Sequence, residues 1–424
     1  MTPPFARNRF ILALGLAATL TGFTAAAVAA DHSIAEFGAV GDRQTLNTAA
    51  IQRTIDAAAS EGGGTVEIPR GVFRSGSIFL KSGVQLHLDD GAVLLGSNAI
   101  ADYPMRRTRI EGHFQIWRMA LVNAEGLHRV RISGPGKFDG NGILFWAAFW
   151  QRRKENPQCT NLEVERPRLM YFADCSDLQI KDASLRDSGF WNLHLYRCHD
   201  VLLEGLRIDA PATGPIRAPS SDGVDIDSSQ RVTIRRCHIA VDDDNIALKG
   251  TKGPFAEHDP DSPPVENILV EDSEFGSGNG VITCGSEATV VRNVTVRNVR
   301  IIGETKLLNL KLRGDTPQHY EHILVDGVKL EGDGTILEML PWTQFFDLKG
   351  QPAPGHVVDD IIIRNVTGRG RAFGEIKAGP LDQIRHITLQ NIQVTLAHGQ
   401  FRSTPVEHLV LDHVVVNGAP VTAP

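Results

Sequence analysis

The chain has 424 residues, with 43 Lys and Arg against 50 Asp and Glu, which gives a formal net charge of −7 at pH 7. This acidic balance argues against nucleic acid as a partner, because phosphate recognition relies on clustered Lys and Arg. It does not exclude an anionic substrate, since a locally basic cleft can attract anions to an acidic protein.

Residues 1–30 have the composition of a targeting segment. Two arginines precede an apolar run over 10–20, and a stretch of small residues follows it. The run is too short and too rich in alanine for a stable membrane span, so we predict a signal peptide cleaved near Ala29 or Ala30, with a short membrane anchor as the alternative. The mature protein is then expected to be periplasmic or extracellular, with no membrane contact.

A single helix is predicted near the start of the mature chain. Asn47 or Thr45 can cap a helix in which Ile51, Ile55 and Ala58 fall on one face, and three consecutive glycines then end it. A solenoid needs its first open coil covered, so we expect this helix to act as an end cap.

From about residue 80 the chain repeats one pattern, in which a short β-branched run with alternate polar residues leads through Asn, Asp or Gly to a second apolar run. The runs that mark the repeat are Leu178–Ile180, Val201–Leu203, Val232–Ile234, Ile268–Val270, Val294–Val296, Ile323–Val325, Ile361–Ile363, Ile387–Leu389 and Leu409–Leu411. They recur every 22 to 38 residues, which is typical of a solenoid. Strand-type alternation without a leucine–asparagine consensus favours an all-β, right-handed parallel β-helix over leucine-rich repeats. We predict one such domain over 31–424.

All five cysteines, an odd number, lie after residue 30. At least one is therefore unpaired within a monomer, which argues against a disulfide framework. Cys175, Cys198 and Cys237 end or follow strand-like runs, where small buried thiols in a stacked core are the simplest interpretation. The spacing does not resemble a zinc site.

Three long insertions interrupt the repeat, at 140–170, 211–220 and 251–264. The first is rich in Trp, Phe and Arg, side chains that can stack on sugar rings or bind a uronate carboxylate. A surface loop packed on its own aromatic residues is the alternative interpretation. Loops of this length seldom serve only as connections, and we expect these three to close one end of a binding cleft.

The densest cluster of carboxylates lies in the segments 221–227 and 241–249. Asp222 and Asp243 are 21 residues apart, about one coil, so they can lie on one face of adjacent strands about 4.8 Å apart. One of two such close carboxyls should have a raised pKa and act as proton donor while the other stays a base, which is the division of roles in glycoside hydrolysis. Turn-forming aspartates and a calcium site are the alternatives.

These segments resemble a known family. The opening segments 38–42, 50–52 and 62–66 look like the start of pectin-degrading β-helices, and the core resembles glycoside hydrolase family 28, the polygalacturonases and their exo-acting and rhamnogalacturonan-cleaving relatives. The family's Asn-Thr-Asp-Gly motif is matched by Ser-Ser-Asp-Gly over 220–223, and its Asp-Asp pair by residues 243–244. The resemblance covers nearly the whole mature chain and implies a parallel β-helix that hydrolyses pectic chains.

By that resemblance, Asp243 is the general acid, and Asp222 and Asp244 hold and activate the water. The family's Arg-Ile-Lys motif, which holds the substrate carboxylate, falls on Asn309-Leu310-Lys311, so the arginine is missing unless Arg313 replaces it.

The family's Gly-His-Gly motif falls on Gly278-Asn279-Gly280, where asparagine can still form a hydrogen bond but cannot titrate. One coil before the aspartates, Trp191 and His194 are further candidates for substrate contact, because His194 resembles a substrate-side histidine of the family. A structural role is the alternative for that histidine.

Three functions fit the sequence. The first is a secreted, exo-acting hydrolase of pectic chains that works as a monomer without a cofactor. The one-coil spacing suggests a retaining mechanism, whereas the resemblance implies inversion, and we follow the resemblance because side-chain direction can widen the gap. The second is a calcium-dependent lyase, which would need an unpaired Arg or Lys as base. The third is a non-catalytic carbohydrate-binding β-helix.

Overall fold

The computed structural model describes residue 1 and residues 31–422. The predicted signal peptide therefore lies outside the described residues, apart from Met1. The two α-helices are α1, Thr48–Ser60, and α2, Ile143–Glu155, and short 3-10 helices span Ile100–Asp102 and Ala256–His258. None of the helices within 31–422 has the length and apolar character needed to cross a membrane.

The strands in chain order are β1 His32–Ser33, β2 Asp42–Leu46, β3 Gly64–Ile68, β4 Gly71–Ser75, β5 Ile78–Phe79, β6 Val84–Leu88, β7 Ala92–Gly96, β8 Met105–Ile110, β9 His113–Arg118, β10 Val122–Glu125, β11 Arg131–Ser133, β12 Lys137–Asp139, β13 Met170–Ala173, β14 Ser176–Lys181, β15 Ser184–Arg186, β16 Leu193–Tyr196, β17 His199–Glu204, β18 Arg207–Asp209, β19 Val224–Asp227, β20 Gln230–Arg235, β21 His238–Ala240, β22 Ile246–Lys249, β23 Val265–Glu271, β24 Glu274–Phe275, β25 Ile282–Cys284, β26 Val290–Ile301, β27 Lys306–Arg313, β28 Gln318–Leu330, β29 Thr335–Trp342, β30 His356–Ile376, β31 Gln383–Ser403, β32 Glu407–Val416 and β33 Ala419–Pro420.

All strands except β8 and β9 belong to one sheet that winds along the molecule. Neighbouring coils pair in parallel, as β14 pairs with β17, β17 with β20 and β20 with β23. The strands β8 and β9 form a separate antiparallel hairpin. The predicted right-handed parallel β-helix is confirmed, and its repeat is the one that the alternating apolar runs predicted.

One bend recurs near the start of the repeat strands and explains the polar residues between the apolar runs. At this bend the backbone takes a left-handed conformation, with φ between 50° and 61°. The residues at this position are Asp177, Asp200, Arg231, Asn267, Asn293, His322, Asp360, His386 and His408. Asn and Asp tolerate this conformation better than most side chains, so their recurrence is a structural signal rather than a chemical one.

The helix α1 begins after Asn47, and its buried Ile51, Ile55 and Ala58 pack on the first coils, as predicted. The Asn47 side chain, however, does not cap the helix. Its Oδ1 accepts a hydrogen bond from the N–H of Val40 at 2.7 Å, so the side chain holds the preceding loop instead.

The five cysteines are free thiols, and all are buried. This arrangement confirms the interpretation of Cys175, Cys198 and Cys237 as small apolar side chains of the stacked core. Cys284 belongs to the same core, on strand β25.

Candidate active site

Six parallel strands, β16, β19, β22, β25, β27 and β29, stack into one face of the β-helix, which we call the site sheet. Side chains alternate along each strand, so one set points into the core and the other outward. The inward row consists of Leu195, Ile226, Leu248, Cys284, Leu310 and Met339. The outward row consists of His194, Asp225, Ala247, Thr283, Asn309 and Glu338. Polar side chains of successive coils are therefore aligned on the outer face.

Asp222 and Asp244 occupy equivalent places in neighbouring coils, each two residues before its strand. The N–H of Gly223 donates to the carbonyl oxygen of Asp244 at 2.9 Å, which fixes this register. The expectation that Asp222 stacks on Asp243 is therefore wrong by one residue, because the coil has 22 residues here. Asp243 nevertheless joins the pair: one carboxylate oxygen from each of the three aspartates lies within 4.8 Å of the others.

Buried polar groups hold the turn over 242–244 in place. The N–H of Asp242 donates to Oγ of Ser221 in the preceding coil at 3.1 Å. Asn245 is fully buried, and its Nδ2 donates to the carbonyl oxygen of Ser277 in the following coil at 2.9 Å. The turn is thus tied to both neighbouring coils, which limits its movement.

Two donors fix the carboxylate of Asp244. Thr283 Oγ1 donates to Oδ1 at 2.7 Å, and Lys311 Nζ donates to Oδ2 at 2.7 Å. Burial of Lys311 works against its charge, but the carboxylates of Asp244 and Asp243 outweigh it and raise the pKa of the ammonium group above its ordinary value. Asp244 is therefore held as an acceptor in one orientation.

Asp243 is half-buried and accepts two hydrogen bonds on the same oxygen. Its Oδ1 accepts from the N–H of Asp244 at 3.0 Å and from Nδ2 of Asn279 at 3.0 Å. Oδ2 remains the oxygen that can carry a proton. Asn279, at the position of the family's histidine, thus contacts the predicted general acid directly.

Asp222 is buried beside Lys249, with 3.3 Å between Oδ2 and Nζ. Burial is the main cause that raises the pKa of Asp222 to about 7; the charges of Asp243 and Asp244 add to it, and Lys249 opposes it. One of the close carboxyls was expected to have a raised pKa, and that carboxyl is Asp222. The family resemblance gives Asp222 a role in activating water.

The same two lysines bear on the calcium interpretation. Lys249 and Lys311 place ammonium groups 3.3 Å from Asp222 and 2.7 Å from Asp244. Three carboxylates alone would suit a divalent cation, but one bound here would meet two neighbouring positive charges. The charge balance of the site favours side-chain cations over calcium.

Trp191 and His194 do not line the cleft, so the expected substrate contacts of these two residues are wrong. Trp191 is 3% exposed and packs with its ring centroid 4.9 Å from Lys249 Nζ. His194 is fully buried, its Nδ1 accepts from Arg168 at 2.7 Å, and its Nε2 faces Asp227 at 3.4 Å. Burial lowers the pKa of His194 to about 4, so the ring is neutral at physiological pH and serves the packing beneath the site.

Arg313 also lies beneath the surface and does not replace the missing arginine. It is 2% exposed, and its Nε donates to Oδ1 of Asp315 at 2.7 Å. A second guanidinium nitrogen donates to the carbonyl oxygen of Phe345. The expected substrate contact is wrong because this side chain holds the segment after β29.

Replacing Arg313 with Met should therefore destabilise the protein without changing substrate selectivity. The change leaves Asp315 as a buried, unpaired carboxylate, a loss of about 3–5 kcal/mol for such pairs. Thermal unfolding should show a lower Tm, while KM of the folded enzyme stays within a few-fold of wild type. An unchanged Tm with a raised KM for a uronate would show that Arg313 faces the substrate after all.

The aromatic part of the first insertion is helix α2, and it does not form a sugar-stacking loop. Phe145, Trp146 and Phe149 are buried, and Trp146 Nε1 donates to the carbonyl oxygen of Ser188 at 2.8 Å. Arg166 is also fully buried in this region. The alternative interpretation, a segment packed on its own aromatic residues, is the one that the structure supports.

A cavity of about 750 Å³ opens beside Asn279 and Asp242. Its lining contains acidic and basic side chains that form ion pairs, such as Lys306 with Glu338 at 3.2 Å. A larger cavity of about 1020 Å³ lies beside Trp146. The lining of neither cavity includes the three clustered aspartates, but the smaller one includes Asn279, which contacts Asp243.

The sequence reasoning missed three residues at the site. Thr283 and Lys249 face outward on the site sheet and touch the aspartates, and strand alternation after Asp222 and Asp244 was the signal that could have identified them. Trp342 lies with its ring centroid 5.2 Å from Lys311 Nζ. Nothing in the local sequence indicates that contact, since it joins β27 to the end of β29.

Comparison with known proteins decides the family. The profile of glycosyl hydrolases family 28 matches residues 62–408, which include the three aspartates, Asn279 and Lys311. The chain belongs to glycosyl hydrolases family 28. The predicted class, enzymes that hydrolyse O-glycosyl bonds, is confirmed at the level of the family.

Individual relatives agree with this assignment. A probable polygalacturonase of Vitis vinifera is 33% identical over 230 residues, which cover 51% of this chain and only 44% of that protein. An endo-polygalacturonase of Pectobacterium parmentieri is 28% identical over 336 residues, 76% of this chain and 78% of the relative. The exopolygalacturonase structure from Thermotoga maritima superposes with a TM-score of 0.69 at 22% identity, covering 92% of this chain and 93% of that one, and supports the fold.

Proposed function

We propose that this family 28 protein is a hydrolase of pectic chains, in which Asp243 protonates the departing oxygen while Asp222 and Asp244 activate water. The observation that carries the proposal is the meeting of three carboxylates within 4.8 Å, at a site braced by Lys249 and Lys311. Paired carboxyls of this kind supply the acid and base that glycoside hydrolysis requires.

The geometry supports a division of roles. An O–H···O hydrogen bond spans about 2.7 Å, so carboxylate oxygens within 4.8 Å can share one water molecule. Asp222 and Asp244 fit this task, because they are stacked in register. Asp243 lies one residue earlier in the turn, with Oδ2 free to carry the proton. Side-chain direction does not widen the gap between these carboxyls, which stays shorter than the roughly 6.5–9.5 Å usual in inverting enzymes. Inversion therefore rests on the proposed roles, because direct attack by water inverts the anomeric carbon.

Pectic substrates are proposed because the matched relatives carry polygalacturonase names. Within the site, Lys311 is the cation best placed to meet a uronate carboxylate, since its side chain is 15% exposed whereas that of Arg313 is buried. A panel of oligogalacturonides and rhamnogalacturonan oligosaccharides tests the proposal by release of new reducing ends. Release from none of them would leave the non-catalytic, carbohydrate-binding alternative.

The lyase alternative needs a cation that is free to act as a base. Among the residues that the structure describes around the aspartates, Lys249, Lys252, Lys311 and Arg313 all lie within 4.0 Å of a carboxylate. Burial lowers the pKa of Lys249 and Lys311, but the neighbouring carboxylates outweigh it and raise both above the ordinary value, so neither amine is a free base. Products that absorb in the ultraviolet would nevertheless identify a lyase.

We further propose that the enzyme acts at chain ends, because the three insertions meet on one side of the aspartates. Asn161, of the first insertion, donates to Glu111 at the tip of the β8–β9 hairpin at 3.1 Å. Lys252, of the third, lies 3.6 Å from the same carboxylate. In the second, Arg217 lies 3.5 Å from Asp242. Trp150 of the first insertion donates to the carbonyl oxygen of Arg217 at 2.8 Å and so joins the first insertion to the second. We infer that the insertions close the cleft toward the earlier coils, whereas the lining of the cavity beside Asn279 extends to Thr335 and Arg371 of later coils.

Viscosity of a pectic polymer, followed together with released reducing sugar, should show this end-directed action. Viscosity is expected to fall slowly, in proportion to sugar release, because removal of terminal units hardly shortens the chains. A steep early fall at low sugar release would mean internal cleavage and would contradict this closure of the cleft.

We also propose that the protein is secreted, on the strength of the apolar run and the small residues within 1–30. Amino-terminal sequencing of the exported protein tests this proposal. A mature start near residue 31 is expected, whereas retention of the full leader on a membrane fraction would indicate an anchor instead.

A further inference from the structure

Behind the three aspartates lies a second group of buried charges that the proposed reaction does not use. Lys249 is 6% exposed, and its Nζ lies 3.3 Å from Asp222, 3.5 Å from Asp225 and 3.7 Å from Glu287. The face of Trp191 covers the ammonium group at 4.9 Å. One largely buried cation thus faces three carboxyls.

Asp225 differs from the other two carboxyls because neither of its oxygens has a hydrogen-bond partner in the described structure. The residue is fully buried on the outward row of β19. An ionised carboxylate without donors is very costly in such surroundings, so Asp225 is the carboxyl that keeps a proton. Burial and the neighbouring charge of Asp222 raise the pKa of Asp225 well above its ordinary value, which agrees with this assignment.

Glu287 is the opposite case, because cations surround it. Lys249, Lys252 and Arg313 lie 3.7 Å, 4.0 Å and 3.9 Å from its oxygens. Burial opposes ionisation, yet these three charges hold the pKa of Glu287 well below its usual range. Since Lys252 and Arg313 share in balancing Glu287, Lys249 remains available to Asp222.

Asp222 needs such a cation in order to act on water. The charged groups that face it are Lys249 and Asp225 on its inner side, Asp243 and Asp244 in the next coil, and Lys311 behind Asp244. Lys311 already donates to Asp244 at 2.7 Å. Burial and the two neighbouring carboxylates favour the protonated form of Asp222, and only an ionised carboxylate can accept a proton from water.

We propose that Lys249 is a positioning residue that keeps Asp222 ionised for water activation, while the neighbouring Asp225 stays protonated. This inference rests on the proposed hydrolysis, because it assigns Asp222 the base role. The group acts through Asp222 and does not itself touch the substrate.

The test is the pH profile of kcat/KM for Lys249→Met and Lys249→Arg, on the substrate that the wild type hydrolyses. Loss of the charge in Lys249→Met should move the acid limb of the profile to higher pH by at least about one unit. Below the limb kcat/KM should then be roughly tenfold lower than in the wild type, and it should partly recover at higher pH. Lys249→Arg keeps the charge and should keep the limb near its wild-type position. A loss of equal size at every pH would overturn the proposal, because a merely structural defect acts that way.

If Lys249→Met fails to fold, the pH profile of kcat/KM for Asp225→Asn is a second test. Asparagine mimics a protonated carboxyl, so the acid limb of this variant should stay where it is in the wild type. A downward shift of about one unit or more would show that Asp225 had been ionised, and would overturn the assignment.

A titration that needs no turnover separates this inference from the proposed function. The carboxyl carbon of Asp222, assigned by its disappearance in Asp222→Asn, can be followed by carbon-13 NMR in the wild type and in Lys249→Met. A higher midpoint in the variant supports the role of Lys249, and equal midpoints contradict it, whether or not any pectic substrate is hydrolysed.

Discussion

Replacing Asp243 with Asn should lower kcat by about 10²–10⁴-fold while leaving the fold intact, because general acid catalysis typically contributes that much. Asparagine can still accept the hydrogen bonds that Asn279 and the N–H of Asp244 donate to this side chain. It cannot supply a proton from the position of Oδ2. The measurement is the steady-state rate of product release from a defined oligosaccharide, with circular dichroism to confirm folding.

Asp242→Asn is the matched control for this change. Asp242 belongs to the same turn, but its carboxylate faces Arg217 at 3.5 Å and is not one of the clustered three. Its replacement should leave kcat within a few-fold of wild type. If Asp243→Asn keeps more than about a tenth of the wild-type rate, the assignment of the general acid fails, since the expected contribution is larger.

Replacing Lys311 with Met should have the second largest effect. The change removes the ammonium group 2.7 Å from Asp244 and leaves that carboxylate buried with Thr283 as its remaining side-chain donor. Loss of one partner of a buried ion pair costs about 3–5 kcal/mol of folding stability. In the folded fraction kcat should also fall strongly, because Asp244 loses the donor that fixes its Oδ2. In addition, kcat/KM should fall more for a uronate than for its methyl ester, because only the uronate offers a charge to Lys311.

Lys306→Met is the control on the same strand, β27. Lys306 pairs with Glu338 at 3.2 Å, outside the aspartate cluster. Because Lys306 also lines the cavity beside Asn279, KM is free to change, but kcat should change by no more than a few-fold. Equal losses for uronate and ester in Lys311→Met would show that Lys311 serves Asp244 alone and does not recognise the substrate carboxylate.

The fold could be predicted from the sequence because every coil of a solenoid repeats the same pattern of apolar and polar residues. Apolar runs such as Val201–Leu203 and Val232–Ile234 recur once per coil and pair in parallel in the structure. The cap helix could also be predicted, because Ile51, Ile55 and Ala58 fall on one apolar face, which the structure buries. The register could not be predicted, because this coil has 22 residues and not 21, and Asp222 therefore lies opposite Asp244 instead of Asp243.

Burial at the site could not be read from the same pattern. Alternation predicts which residues point outward, yet an outward residue such as His194 is fully buried, in contact with Arg168 and Trp191. Arg109 of the β8–β9 hairpin reaches Asp227 at 3.1 Å, and it lies more than a hundred positions away in the chain. Such long-range contacts have no local signature, which is why the expected substrate contact of His194 was wrong. Arg313 is a different case, because its ion-pair partner, Asp315, is only two residues further along the chain.

The most direct test of the central claim is proton NMR of the first products released from a defined oligosaccharide that the enzyme hydrolyses. Attack by a water held between Asp222 and Asp244 predicts saturated products whose new reducing end first appears with inverted anomeric configuration, before mutarotation. A reducing end that first appears with retained configuration would mean that one aspartate attacks the sugar as a nucleophile. That result, or the appearance of unsaturated products, would contradict the account.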